Sequence, residues 1–86
     1  MDILENFSNN LKILLKMGGV KKSDFANTIG IDRQTLFMYE SGKMNPSVTT
    51  LVKIAKELNV GVDFMLKKNT MTEILAEKLV VKHVSV

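Results

Sequence analysis

Cysteine and tryptophan are absent from this 86-residue chain, and proline, tyrosine, histidine and arginine each occur once. Without cysteine there is no disulfide framework, no thiolate zinc site and no thiol nucleophile. The lone His83 has no second His or Cys beside it to complete a metal site. No apolar run approaches the roughly 20 residues that cross a bilayer as a helix. The opening Met1-Asp2 lacks a basic stretch ahead of an apolar one, so no signal peptide is expected. These absences point to a cytoplasmic setting. No Ser-His-Asp set, paired-carboxylate site or Gly-rich phosphate loop is visible, so neither an enzyme, a cofactor nor a metal is expected.

What is present is a packed, weakly basic chain. Hydrophobic residues make up 45% of it, enough for a core and too many for general disorder. The net charge of +3 favours a nucleic-acid partner only slightly. At this length the chain is one domain, or one small domain with an appendage.

Helical periodicity dominates. Leu4, Phe7, Leu11, Leu14 and Leu15 share one face, and Gly18-Gly19 ends that first helix. A second segment, Lys22 to Ile29, carries Phe25, Ala26 and Ile29 on one side and stops at Gly30. Asp32 is placed to cap a third helix, Arg33 to Glu40, which ends at Gly42. After Pro46, Ser47 is placed to cap a fourth, whose apolar face is Val48, Leu51, Val52, Ile54, Ala55 and Leu58. A short fifth helix covers Val62 to Leu66. Thr70-Met71-Thr72-Glu73 is a capping box that opens a sixth helix, with Met71, Ile74, Leu75 and Leu79 on one face. Val80 to Val86 is β-branched and partly alternating, and reads as a short strand or a frayed end. The expected class is all-α, divided into residues 1–68 and a C-terminal segment, 69–86.

The pair of helices joined by Gly30-Ile31-Asp32, about 22–40, has the length of a helix-turn-helix. In that motif the first helix crosses the DNA backbone and sets the angle at which the second enters the major groove. Gly30 allows a tight turn, Ala26 a close helix approach, and Ile31 a plug beneath the turn. Leu36 and Tyr39, three apart, face the core. Arg33, Gln34, Phe37 and Met38 then point outward, with Phe37 open to a partly buried position as well. Arg33 suits a bidentate contact to guanine and Gln34 one to adenine, each giving about 1–3 kcal/mol of discrimination. Phe37 and Met38 suit thymine methyl groups. Every other Lys/Arg position is lysine, better fitted to phosphates than to planar base recognition. Lys21, Lys22 and Lys43 flank the motif, while Lys12, Lys16, Lys53 and Lys56 read as a solvated face and the methionines as core filler.

The stretch Leu11 to Leu66, roughly two-thirds of the chain, resembles the Cro/C1-type (xenobiotic-response-element-like) helix-turn-helix family, which includes lambdoid phage repressors. Val20, Phe25-Ala26, Ile29-Gly30-Ile31, Leu36, Tyr39-Glu40-Ser41-Gly42-Lys43, Asn45-Pro46-Ser47, Leu51, Ile54-Ala55-Lys56, Leu58 and Val60 to Leu66 carry the resemblance. It implies a five-helix, lambda-repressor-like domain that docks as a homodimer on a two-fold double-stranded DNA site. Arg33, Gln34 and Met38 fall at the family's base-reading positions. Lys22 and the loop Gly42 to Asn45 fall against phosphates, and Thr35 lies between the two sets. Asn45 and Gly42 are thus phosphate candidates by resemblance.

Two departures stand out. Lys22 replaces the family's usual Gln, and Leu15 occupies the place of an Arg that would pair with Glu40. Lys12 or Lys16 is then left to face Glu40, unless that carboxylate is solvated. The expected function is a sequence-specific regulator, a repressor of phage, plasmid or mobile-element type. The alternative is an antitoxin or other protein-binding module on the same scaffold, favoured by Phe37-Met38 and the C-terminal segment. That segment, through Met71, Ile74, Leu75, Leu79 and Val84, either forms a homodimer interface or folds back on its own domain.

Overall fold

The structure, a computed structural model, describes residues 2–84, with side chains as far as Leu79. Six helices follow one another: α1 (Ile3–Gly18), α2 (Lys22–Ile29), α3 (Arg33–Glu40), α4 (Val48–Leu58), α5 (Val62–Leu66) and α6 (Met71–Val84). No strand occurs among the described residues. The fold is all-α: the five helices expected from the sequence, with a sixth added after them.

Local chemistry accounts for the boundaries. Asp2 accepts from the backbone N–H of Leu4 and Glu5 at the head of α1. The Asp32 carboxylate accepts from Thr35 N–H at 2.7 Å, and the Ser47 hydroxyl from Thr50 N–H at 3.2 Å. At α6 the box closes in both directions: Glu73 N–H donates to Thr70 Oγ1 at 3.1 Å, and Thr70 N–H to the Glu73 carboxylate at 2.7 Å. Between α2 and α3, Gly30 takes φ 80°, which lets Ile31 N–H return to Ala26 O at 2.9 Å. An L side chain at that φ is strained, so glycine is what permits so short a turn.

One core joins all six helices. α1 contributes Phe7, Leu11, Leu14 and Leu15; α2 contributes Phe25, Ala26 and Ile29; α3 contributes Leu36 and Tyr39. Ile54, Ala55 and Leu58 come from α4, Phe64 and Met65 from α5, and Ile74 from α6. Phe7 and Tyr39 meet edge to face, ring centroids 6.2 Å apart, an arrangement the ring quadrupoles favour. α1 is the hub, packing against α3, α5 and α6.

α5 is too short to satisfy its own carbonyls, and asparagines do it instead. Asn6 Nδ2 donates to Leu66 O at 3.1 Å. The amide of Asn10, a residue 1% exposed, reaches Met65 O at 2.8 Å, Lys67 O at 2.9 Å and Phe64 O at 3.2 Å. Asn69 Nδ2 approaches Phe64 O and Lys67 O and donates to Asn10 Oδ1 at 3.1 Å. Each amide has two hydrogens, so these acceptors share them. Four successive carbonyls, Phe64 to Lys67, are thereby tied to α1 and to the lead into α6.

Three sequence expectations are corrected. The β-branched run from Val80 is helical through Val84, because the capping box nucleates α6 and its docking on α1 outweighs the local β-preference; Ser85 and Val86 lie outside the described residues. Ile74 does not share an exposed face with Met71, Leu75 and Leu79. It is fully buried in the core of its own chain, whereas those three are 52%, 47% and 58% exposed. Val48, expected on the apolar face of α4, is 78% exposed, since the first turn of that helix projects beyond the core. Among the described residues no helix is long and apolar enough to cross a membrane.

Candidate nucleic-acid interface

The outward face of α3 is built by what its inward face must do. Leu36 and Tyr39 are buried, and their three-residue spacing fixes the rotation of the helix. Arg33, Gln34 and Phe37 are exposed, and Thr35 and Met38 are half-buried. Phe37 therefore points outward, which decides between its two sequence readings. Among the described residues, no carboxylate lies within ion-pair distance of Arg33. Its guanidinium and the neighbouring Gln34 amide form a polar first turn, one residue after the cap at Asp32. The hydrogen bond from Thr35 N–H, and to a lesser degree the Thr35 hydroxyl, hold the Asp32 carboxyl below its ordinary value. The charged cap also suits the positive end of the helix dipole.

The far end of α3 is tied to α1 and to the following loop. The buried Ser8 hydroxyl donates to Tyr39 O at 2.7 Å. Gly42 takes φ 75°, so that its N–H returns to Tyr39 O and Lys43 N–H to Met38 O at 2.9 Å. A Cβ on Gly42 would also lie 3.4 Å from Ser8 Oγ. These contacts leave Lys43, Met44 and Asn45 exposed on a loop whose backbone is anchored to α3. Of the phosphate candidates, Lys21, Lys43 and Asn45 are exposed, Gly42 and Thr35 are half-buried, and their backbone groups serve in turn and cap.

Lys22 is differently placed. Its Nζ lies 3.2 Å from Glu40 Oε2, a contact of ion-pair length whose angles do not make a hydrogen bond. The Glu40 side chain is 7% exposed, that of Lys22 48%. Neither Lys12 nor Lys16 forms that pair, and Glu40 is not solvated. The two departures from the family pattern thus meet. Leu15 has become a core residue, 1% exposed, and the cation for Glu40 comes from the head of α2. A shallow cleft of about 190 Å³ lies at this junction, lined by Lys12, Lys22, Phe37, Glu40 and Ser41. No group of His, Cys, Asp or Glu among the described residues is arranged to hold a metal ion.

Sequence reasoning passed over Ser8 and Asn10. Their signal was present: polar residues in a helix whose other positions at that spacing are Phe7, Leu11 and Leu14. Buried polar side chains are hydrogen-bonded, so such residues imply partners across the core.

Two short helices at a tight turn, the second with its polar first turn free and a basic loop at its end, define a DNA-binding helix-turn-helix. The family model described as helix-turn-helix matches residues 11–65. The chain belongs to the Cro/C1-type helix-turn-helix family of DNA-binding transcriptional regulators. It is 31% identical over 72 residues to the uncharacterised HTH-type transcriptional regulator YqaE of Bacillus subtilis, covering 84% of this chain and 62% of the relative. It is 38% identical over 61 residues to the SPbeta prophage-derived uncharacterised HTH-type regulator YonR of the same organism, covering 71% and 56%. It is 30% identical over 66 residues to the antitoxin HipB of Escherichia coli, covering 77% and 70%. The chain thus spans about three-fifths of the length of the two Bacillus relatives. No solved structure matches it with significance.

Proposed function

We propose that this protein is a sequence-specific repressor that binds a two-fold DNA site as a homodimer and excludes polymerase by occupying the operator. α3 lies in the major groove. Arg33 and Gln34 read base edges, Phe37 and Met38 meet thymine methyl groups, and Lys21, Thr35, Gly42, Lys43 and Asn45 form the phosphate-facing rim. The observation that carries the reading is the face of α3 itself: an exposed Arg33–Gln34 turn on a helix rotationally locked by Leu36 and Tyr39. Likeness to a prophage-derived regulator supports a mobile-element setting, in the cytoplasm and on the nucleoid. The role is binding rather than catalysis.

Residues 69–86 act as the assembly segment. Met71, Leu75 and Leu79 recur every four residues on α6 and are all half-exposed, an apolar stripe of the kind a second copy covers. Val84 continues the backbone of that helix; its side chain lies outside the described residues. Two domains on one DNA face add their contacts, with half-sites about one helical turn apart.

The second reading is an antitoxin whose chief partner is a protein, supported by the likeness to HipB and by Phe37, 55% exposed on the outward face of α3. A gel-shift titration with random duplex at rising salt separates the two. Binding with a steep salt slope is expected, and no binding at low salt sinks the DNA reading. Selection of bound duplexes from a random pool then gives the operator.

A further inference from the structure

We infer that Lys22 is a positioning residue for the DNA-reading helix: its charge is committed to Glu40 and is not spent on a phosphate. The inference rests on the DNA-binding reading above. Lys22–Glu40 is the one ion pair among the described residues, and its carboxylate is almost wholly withdrawn from water. A buried carboxylate without a counter-ion is strongly unfavourable, so Glu40 holds its cation more firmly than an exposed acid does.

The geometry gives this pair its effect. Glu40 is the last residue of α3, and Lys22 the first of α2. Their contact joins the two ends of the motif that lie farthest from the turn at Gly30. The turn fixes one end of the α2–α3 angle and the ion pair fixes the other, and that angle decides how α3 enters the groove. Phe37 shares the cleft at the pair and lies one turn before Glu40. A shift of Lys22 therefore moves the outward side chains of the second turn of α3.

The pair is electrically neutral as a unit. A lysine that meets a phosphate releases a counterion and adds about 0.9 to the salt slope of binding. Lys22 adds nothing of the kind while it faces Glu40. This separates it from Lys43, which has no internal partner among the described residues.

The test measures the salt dependence of binding to a random-sequence duplex for the wild type, Lys22→Gln, Glu40→Gln and the double variant, alongside their thermal unfolding. The expected slope for Lys22→Gln is within about 0.3 of wild type. That for Glu40→Gln is steeper by about 0.9, because Lys22 is freed to meet a phosphate, and the double variant returns to the wild-type slope. In unfolding, Lys22→Gln lowers Tm more than the double variant does, since it alone leaves Glu40 buried and unpaired. A slope lower by about 0.9 in Lys22→Gln, or single-variant Tm losses that simply add, overturns the inference and leaves the DNA reading standing. Failure of the wild type to bind duplex at low salt overturns both.

Discussion

Ile74 and Leu75 are sequence neighbours with opposite assignments, and substituting each alone separates folding from assembly. Ile74 is fully buried, and truncation of such a side chain to alanine costs about 2–5 kcal/mol through lost transfer energy and the cavity left behind. In a domain of this size each kcal/mol moves Tm by about 4–8 °C, so Ile74→Ala is expected to lose about 8–40 °C. Leu75 is 47% exposed, and a surface change at such a position alters the stability of a single domain by about 0.5 kcal/mol or less. Leu75→Glu nevertheless sets a charge in the middle of the Met71–Leu75–Leu79 stripe, which two copies cannot bury unpaired. Sedimentation equilibrium on Leu75→Glu should give the monomer mass where the wild type gives the dimer. Calorimetry should show the Tm losing its dependence on protein concentration. A Tm for Ile74→Ala within a few degrees of wild type would refute the docking of α6 on its own domain. An unchanged mass for Leu75→Glu would refute the stripe as the dimer contact.

Three further outcomes are expected. Arg33→Ala should relax preference at one base position by about 1–3 kcal/mol in a selection experiment, whereas Lys43→Ala should weaken all sequences alike and reduce the salt slope by about 1; identical behaviour of the two removes Arg33 from base reading. Asn10→Ala should cost about 2–3 kcal/mol in urea unfolding, because Phe64 O and Lys67 O retain the Asn69 amide while Met65 O loses its donor in a buried site; a cost under about 1 kcal/mol would show that water replaces the amide. The Asp32 carboxyl is held below its ordinary value by Thr35, and the Glu73 carboxyl by Thr70, so both caps favour the ionised form in the folded state. Their contribution is present above the ordinary carboxylate range, about pH 4, and is lost as pH falls through the lowered values. Tm should therefore drop on acidification below about pH 4, and Asp32→Asn, which keeps the cap without the titration, should drop less steeply.

The elements most legible in the sequence were those whose boundaries are set by local chemistry. Asp32, Ser47 and the Thr70–Glu73 box act within four residues of chain, and each caps the helix its spacing indicates. Gly30 and the Leu36–Tyr39 spacing likewise placed the turn and the rotation of α3. What the sequence concealed depends on partners distant in the chain. Ile74 lies within the same helical arc as Met71 and Leu75, and only the packing of α6 on α1 decides which side of that arc is buried. The pairing of Lys22 with Glu40 spans the whole motif, and no periodicity links the two positions. Asn10 and Asn69 are far apart in sequence, and each looks like an ordinary polar residue until α5 proves too short to satisfy its own carbonyls.

α1 connects the two roles proposed for the chain, DNA reading by α3 and assembly through α6. Ser8 holds the end of α3, while two residues further on Asn10 holds α5 and the lead into α6. On the other side of that lead, Lys78 Nζ donates to Leu58 O at 2.6 Å, tying α6 to the end of α4 as well. The apolar stripe and the DNA-reading helix are therefore both packed and hydrogen-bonded onto α1. In a dimer assembled through α6, the separation of the two α3 helices is then a fixed property of the fold, and half-site spacing becomes a geometric requirement. It follows that Leu75→Glu should lower affinity for a two-fold site by the loss of the second half-site, while each remaining domain keeps its base preference. Selection on the Leu75→Glu protein should return the same half-site sequence without a preferred spacing. A changed half-site sequence would show that α6 alters the reading face itself, and the separation of reading from assembly would then be wrong.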